Sequence, residues 1–178
     1  MEIRTSFHKK LREVQDDIVA MGSMVEKAIN RSIEALKTRD LTQARQIMAD
    51  DCKINETRFE IEEKCIQLIA TQQPMASDLR ILVSALNITS ELERIGDYAE
   101  GIAKVVLLIG DEPSLKPLID IPRMAEKTNS MLRRALDAFV HRDADAARKI
   151  IDEDDEVDGL YNQVFRELLT FMLEDPKT

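Results

Sequence analysis

Glu93-Arg-Ile-Gly-Asp97 sets two carboxylates four residues apart, and Asp154-Asp-Glu-Val-Asp158 repeats the spacing later in the chain. On a helix that spacing brings both side chains to one face, about 6 Å apart. Paired oxygens of this kind are what a divalent or iron-type metal ion takes as ligands. A lone acidic pair is equally a solvated helix surface, so the pair at Glu93 needs support from elsewhere. Asp51 and Asn55 supply it, with the same spacing on the preceding segment. The two groups centre about 21 residues before and after Pro74. If the chain folds back at Pro74, both lie roughly 30 Å from the bend at 1.5 Å per residue, and so at one level of an antiparallel pair. Asp51, Asn55, Glu93 and Asp97 then make one candidate metal site, and Gly96 lets backbone or ligand approach beside Asp97. Asp154 and Asp158 make half of a second, for which a charged, solvated helix face remains an open alternative.

Other chemistries find no residues to carry them. A ferritin-like di-iron centre needs Glu-x-x-His, and neither His8 nor His141 has Glu three residues before it. There is no glycine-rich phosphate loop, nucleophile elbow or zinc spacing, so an enzyme is not expected. The net charge of −9 excludes nucleic acid as the main partner, since that needs basic surface to displace counterions. Cys52 and Cys65, thirteen residues apart, would be turned roughly 140° from each other on one helix, too far for a bridge. Two free thiols fit a reducing compartment. Met1-Glu-Ile-Arg-Thr opens no apolar leader, and Val105 to Ile109 is far short of the roughly 20 residues that span a bilayer. A cytoplasmic protein, peripheral to a membrane at most, is the expectation.

Long helices must position these groups. Aliphatics and charges are plentiful (44% hydrophobic, 33% charged), while glycine and proline are sparse, a composition that favours helix over turn-rich β structure. From about Ser6 to Lys37, Leu11, Val14, Ile18, Met21, Val25, Ala28, Ser32 and Leu36 fall on one stripe, which Gly22 interrupts. A second segment, about Thr42 to Thr71, has the seam Ala44, Ile47, Asp51, Ile54, Arg58, Ile61, Cys65 and Leu68, with Thr42 as a candidate cap. Gln72-Gln73-Pro74 ends it. The third, Met75 to Ile109, carries one stripe at Ala85, Ile88, Leu92, Ile95, Ala99, Ile102, Val106 and Ile109. A second stripe at Leu79, Leu82 and Leu86 continues into Glu93 and Glu100, so one face opens to polar chemistry. Gly110 to Pro122, with three prolines and a glycine, reads as a linker. Arg123–Arg142 and Asp145–Leu173 read as two further helices, the second stopped by Pro176.

Shifted by 103 residues, the sequence partly matches itself: Met21 meets Met124, Arg39-Asp40 meets Arg142-Asp143, Ala44-Arg45 meets Ala147-Arg148, Ile47 meets Ile150, Asp51 meets Asp154 and Ile54 meets Val157. The chain is therefore expected to be all-α, with tandem three-helix bundles of spectrin-like kind: residues 1–110 form the first, 111–122 a linker, and 123–178 two helices of a second copy that lacks its last helix. A helix pair alone leaves an apolar groove open. Either a longer chain or a partner would fill it.

Gln73-Pro74-Met-Ala-Ser-Asp78-Leu79-Arg80, with Leu92-Glu93-Arg94-Ile95-Gly96-Asp97 and Ile102-Ala103, resembles the PhoU family of phosphate-transport accessory proteins. The likeness runs from the first helix to Glu174-Asp175-Pro176. It implies a negative regulator of phosphate uptake and phosphate-starvation signalling that works by contact, an adaptor between the transporter's ATP-binding subunit and a sensor histidine kinase. It also implies a homodimer, and metal clusters held at Glu93 and Asp97 with Asp51 and Asn55 opposite, and at Asp154 and Asp158. Asn55 departs from the acidic pattern, and no second Glu-Arg-Ile-Gly-Asp motif is present. Asp78 and Arg80 match the family too, although helix capping and a surface ion pair would also account for them. The alternatives are a structural helical-bundle scaffold, or a divalent-metal-binding protein without a signalling role.

Overall fold

The computed structural model describes residues 2–112 and 115–174, which form six α-helices and no strand. They are α1 (Glu2–Thr38), α2 (Leu41–Gln72), α3 (Ser77–Ile109), α4 (Asp120–His141), α5 (Ala144–Asp152) and α6 (Asp154–Glu174). Pro113 and Ser114 of the linker, and Pro176, lie outside the described residues.

The first three helices pack as an antiparallel bundle. The stripe on α1 is buried as its periodicity predicts, with Val14, Ile18, Met21 and Val25 at 1% exposure or less. On α2 the six apolar seam positions are buried, while Asp51 and Arg58 remain half-buried. On α3 the buried line runs between the two expected stripes: Leu82, Ala85, Thr89, Leu92, Gly96, Ala99, Ala103 and Val106. Small residues on that line let α3 approach α2 closely: a Cβ added to Gly96 would meet Ile54 Cδ1 at 3.1 Å. Thr89 is tolerated in the core because its hydroxyl donates to the Ala85 carbonyl at 3.1 Å and the Leu86 carbonyl at 3.0 Å. Around Pro74 the hairpin turns through Gln73 and Ala76, both at positive φ (45° and 49°).

The repeat is visible in the backbone. Arg39 (φ 58°) and Arg142 (φ 57°) each close a helix in the left-handed region. The aspartate that follows caps the next helix: Asp40 accepts from the Thr42 and Gln43 amides, and Asp143 from the Asp145 and Ala146 amides. Asp40, rather than Thr42, is thus the N-cap of α2, because a side-chain oxygen just before the helix reaches its orphan amides.

Helix α4 lies on α1. Leu136 seats over Gly22, where a Cβ would overlap Leu136 Cδ1. Asn129, 3% exposed, donates from Nδ2 to Asn30 Oδ1 at 2.8 Å, and Arg133 reaches Glu26 at 3.6 Å. Gly22 therefore costs α1 some helical propensity and gains it a seat for α4. The expected single helix from Asp145 to Leu173 is broken at Glu153, whose amide bonds the Ile150 carbonyl at 3.2 Å, while its carbonyl takes the Glu156 amide at 3.1 Å. Five consecutive acids, Asp152 to Glu156, repel one another along a continuous helix, and Arg134 of α4 pairs with Glu153 through both terminal guanidinium nitrogens. No buried residue occurs on α6. Among the described residues no helix is long and apolar enough to cross a membrane.

Candidate functional site

Because Ile54 seats on Gly96, the antiparallel register sets Asp51 opposite the stretch that follows Gly96. Carboxylate oxygens of Asp51, Asp97 and Glu100 all lie within 4.8 Å of one another. Asn55, one turn along α2, donates from Nδ2 to Asp51 Oδ2 at 3.0 Å, and its Oδ1 is buried with no hydrogen-bond partner. Of the four residues expected at this level, three are brought together. The fourth, Glu93, stands nearer the Pro74 turn and faces Arg58, whose Nη1 is 3.5 Å from Glu93 Oε1 and whose Nε donates to Glu62 Oε1 at 2.7 Å. The charged seam position Arg58 accounts for this: a guanidinium at the helix interface claims the nearest carboxylates.

Glu100 joins the site without having been named for it. Its signal was present in the sequence, as the second acidic residue of the α3 stripe that turns polar after Leu86. At 2.5 Å, Lys104 Nζ donates to Glu100. The acidic row is thus bracketed by Arg58 at one end and Lys104 at the other.

Electrostatics separate two neighbours. Burial, and then the charges of Asp97 and Glu100, push the Asp51 carboxyl above the usual aspartate range; Asn55's hydrogen bond works against them, and Glu93 adds a smaller push upward. Asp50, on the other side of the same turn, is held well below that range by hydrogen bonds from Lys53 and Arg31. The Arg31 bond, 2.7 Å long, also ties α1 to α2. Cys65 is buried and its thiol pushed up to about 11 by desolvation, whereas Cys52 is exposed. Held protonated in this way, the Cys65 thiol is a poor nucleophile.

Three mutually repelling carboxylate groups with one orphaned amide oxygen beside them fit a hard cation: it would neutralise the repulsion and offer that oxygen a partner. In the second unit Asp154 and Asp158 are both exposed on the first turns of α6. Asp51, Asp97 and Glu100 are the only such ligand-capable cluster among the described residues.

Comparison with known proteins agrees with this architecture. The PhoU-domain family model matches residues 18–106 and 121–178. The phosphate-specific transport system accessory protein PhoU homologue of Aquifex aeolicus is 39% identical over 169 residues, which is 95% of this chain and 76% of that protein. Its counterpart in Clostridium acetobutylicum is 40% identical over 173 residues, covering 97% and 79%. The crystal structure of PhoU from Pseudomonas aeruginosa superposes with a TM-score of 0.89 at 35% identity, over 96% of this chain and 82% of that one. That of the phosphate transport system regulatory protein PhoU from Streptococcus pneumoniae gives 0.87 at 30%, over 95% and 80%. The chain belongs to the PhoU family.

Proposed function

We propose that this protein is an accessory regulator of phosphate transport, which represses phosphate uptake and phosphate-starvation signalling by binding other proteins and catalyses no reaction. Its relatives support the general role: they are accessory proteins of a phosphate-specific transport system, and one is a phosphate transport system regulatory protein. On this reading it works in the cytoplasm as a homodimer, at the inner face of the membrane, and bridges the transporter's ATP-binding subunit and a sensor histidine kinase.

The observation that carries the finer reading is the acidic rung between α2 and α3, built from two helices at one level. A divalent or iron-type cation there would be held by Asp51, Asp97 and Glu100, beside Asn55. Bound, the cation supplies positive charge that cross-links α2 to α3 and fixes the charge presented to a partner. Glu93 serves as a reserve carboxylate while Arg58 holds it.

Three experiments test this. Replacing Asp97 and Glu100 together by Ala should derepress phosphate-starvation genes; normal repression by a folded double variant removes the rung from the mechanism and leaves the regulatory role standing. Purified protein treated with chelator should gain thermal stability on addition of Mn²⁺, as ligand linkage requires, and Asp97→Asn with Glu100→Gln should abolish the gain. Recovery of the transporter's ATP-binding subunit with the purified protein tests the adaptor role, and its consistent absence would reject it.

A further inference from the structure

Away from the acidic rung, a cleft of about 630 Å³ opens where the start of α3 meets the junction of α4 and α5. Its floor is apolar, formed by side chains such as Ile81, Ala138 and Phe139, and its rim carries Ser77, Arg80 and Arg142. In a chain of net charge −9 this rim is basic. The ion pair expected of Asp78 and Arg80 is not formed, and neither Arg80 nor Arg142 is engaged by a carboxylate among the described residues. Asp143, the one acidic residue lining the cleft, turns its Oδ1 to the amides of Asp145 and Ala146 at 3.1 and 2.9 Å. Both bonds cap α5, and the lining keeps two guanidiniums to this one carboxylate.

We infer that this cleft binds a small organic anion, its charged group taken by the Arg80 and Arg142 guanidiniums and its apolar body laid on Ile81 and Phe139. Three observations support the assignment. The volume is that of sites for small organic molecules, typically about 300–1,000 Å³. The lining has the make-up of such sites, largely apolar with a few polar groups at one edge. The two arginines reach the cleft from different elements, Arg80 from α3 and Arg142 from the α4–α5 junction, and guanidiniums favour a planar or tetrahedral oxyanion over any cation. The start of α3 has no side-chain cap, so its amide end adds to the attraction without defining the site. An occupant touches α3 on one side and α4 and α5 on the other, and so braces the joint between the first bundle and the helices that follow it.

The test uses the whole chain and a fluorescent apolar anion, 8-anilinonaphthalene-1-sulfonate, with uncharged N-phenyl-1-naphthylamine as its partner probe. The sulfonate should bind saturably, about tenfold more tightly than the uncharged analogue, the factor expected of charge-assisted hydrogen bonding. The double variant Arg80→Glu, Arg142→Glu should lose about tenfold in affinity for the sulfonate, and Arg80→Gln alone, at an exposed helix position, should lose several-fold with the fold intact. Phe165→Glu, which charges the open apolar face of α6, should leave binding unchanged. Equal affinity for both probes, undiminished binding by the arginine variants, loss of binding on Phe165→Glu, or no saturable binding at all would each overturn the assignment.

Discussion

Helix α2 and its repeat counterpart, the α5–α6 segment, begin from one sequence plan and end in different environments. α2 buries Ala44, Ile47, Ile54, Ile61, Cys65 and Leu68 between α1 and α3. In the counterpart only Ile150, which corresponds to Ile47, is buried. Leu168, at the position of Cys65, is 38% exposed. Where α2 has the Arg58–Glu62 ion pair, α6 has Tyr161 and Phe165, their rings stacked with centroids 6.5 Å apart and both largely open. The difference teaches that a helical stripe nominates a face for burial, and that a third helix decides whether the nomination is taken up. The same holds for the acids. Asp51, enclosed by α3, is pushed up by burial and by the facing charges, while its counterpart Asp154 is exposed.

Matched substitutions break or sharpen this contrast, and the largest effect is expected in the core. Ile61→Ala should lower unfolding free energy by about 2–4 kcal/mol, since a fully buried aliphatic is removed and a cavity remains. Val164→Ala, at the equivalent position, should cost less than about 1 kcal/mol; equal costs in denaturant titrations would show that both units are closed alike. Next come the two caps. Asp40→Ala should cost about 1 kcal/mol, the usual worth of an N-cap. Asp143→Ala should instead fray α5 locally, seen as faster amide exchange at Asp145 and Ala146 with little change in the global midpoint.

The smallest effect concerns charge. Asp51 titrates higher in the fold than in the unfolded chain, so its contribution to stability is present below about pH 4 and is lost as pH rises through the raised value. Asp51→Asn should therefore raise the melting temperature of metal-free protein at pH 7, and the advantage should vanish toward pH 4. Asp154→Asn, at an exposed position, should stay within about 0.5 kcal/mol at either pH. A drop in stability for Asp51→Asn at pH 7 would mean that its carboxylate is stabilised, not strained.

Much of the fold was legible in the sequence because its cores follow helical periodicity: the apolar part of the α2 seam is buried, and so is the α1 stripe except Ala28 and Leu36, which are half-buried. The true core line of α3 was harder to see, because Thr89 and Gly96 carry no hydrophobic signal and Ala103 only a weak one, while Gly96 serves closeness of approach. The acidic run Asp152 to Glu156 is the local hint of the break at Glu153, but the partner that meets Glu153 there, Arg134, belongs to another helix and is not legible locally. At the acidic rung, distance from Pro74 placed Asp51 and Asp97 together. It missed the register by about one residue on each helix, since Ile54 and Gly96 fix it sterically. That offset is enough to hand Glu93 to Arg58 and bring in Glu100. The cleft at Arg80 and Arg142 was invisible to sequence reading because it joins residues some sixty apart.

The Asn30–Asn129 contact has a mechanical consequence for how the two halves can move. Asn129 is sunk in the α1–α4 contact with one amide hydrogen matched to Asn30 and its own oxygen unmatched. Sliding α4 along α1 would strand the whole carboxamide in an apolar wall, at about 1–3 kcal/mol. Such a key in its slot works against gradual creep of α4 along α1, so the two helices keep one register.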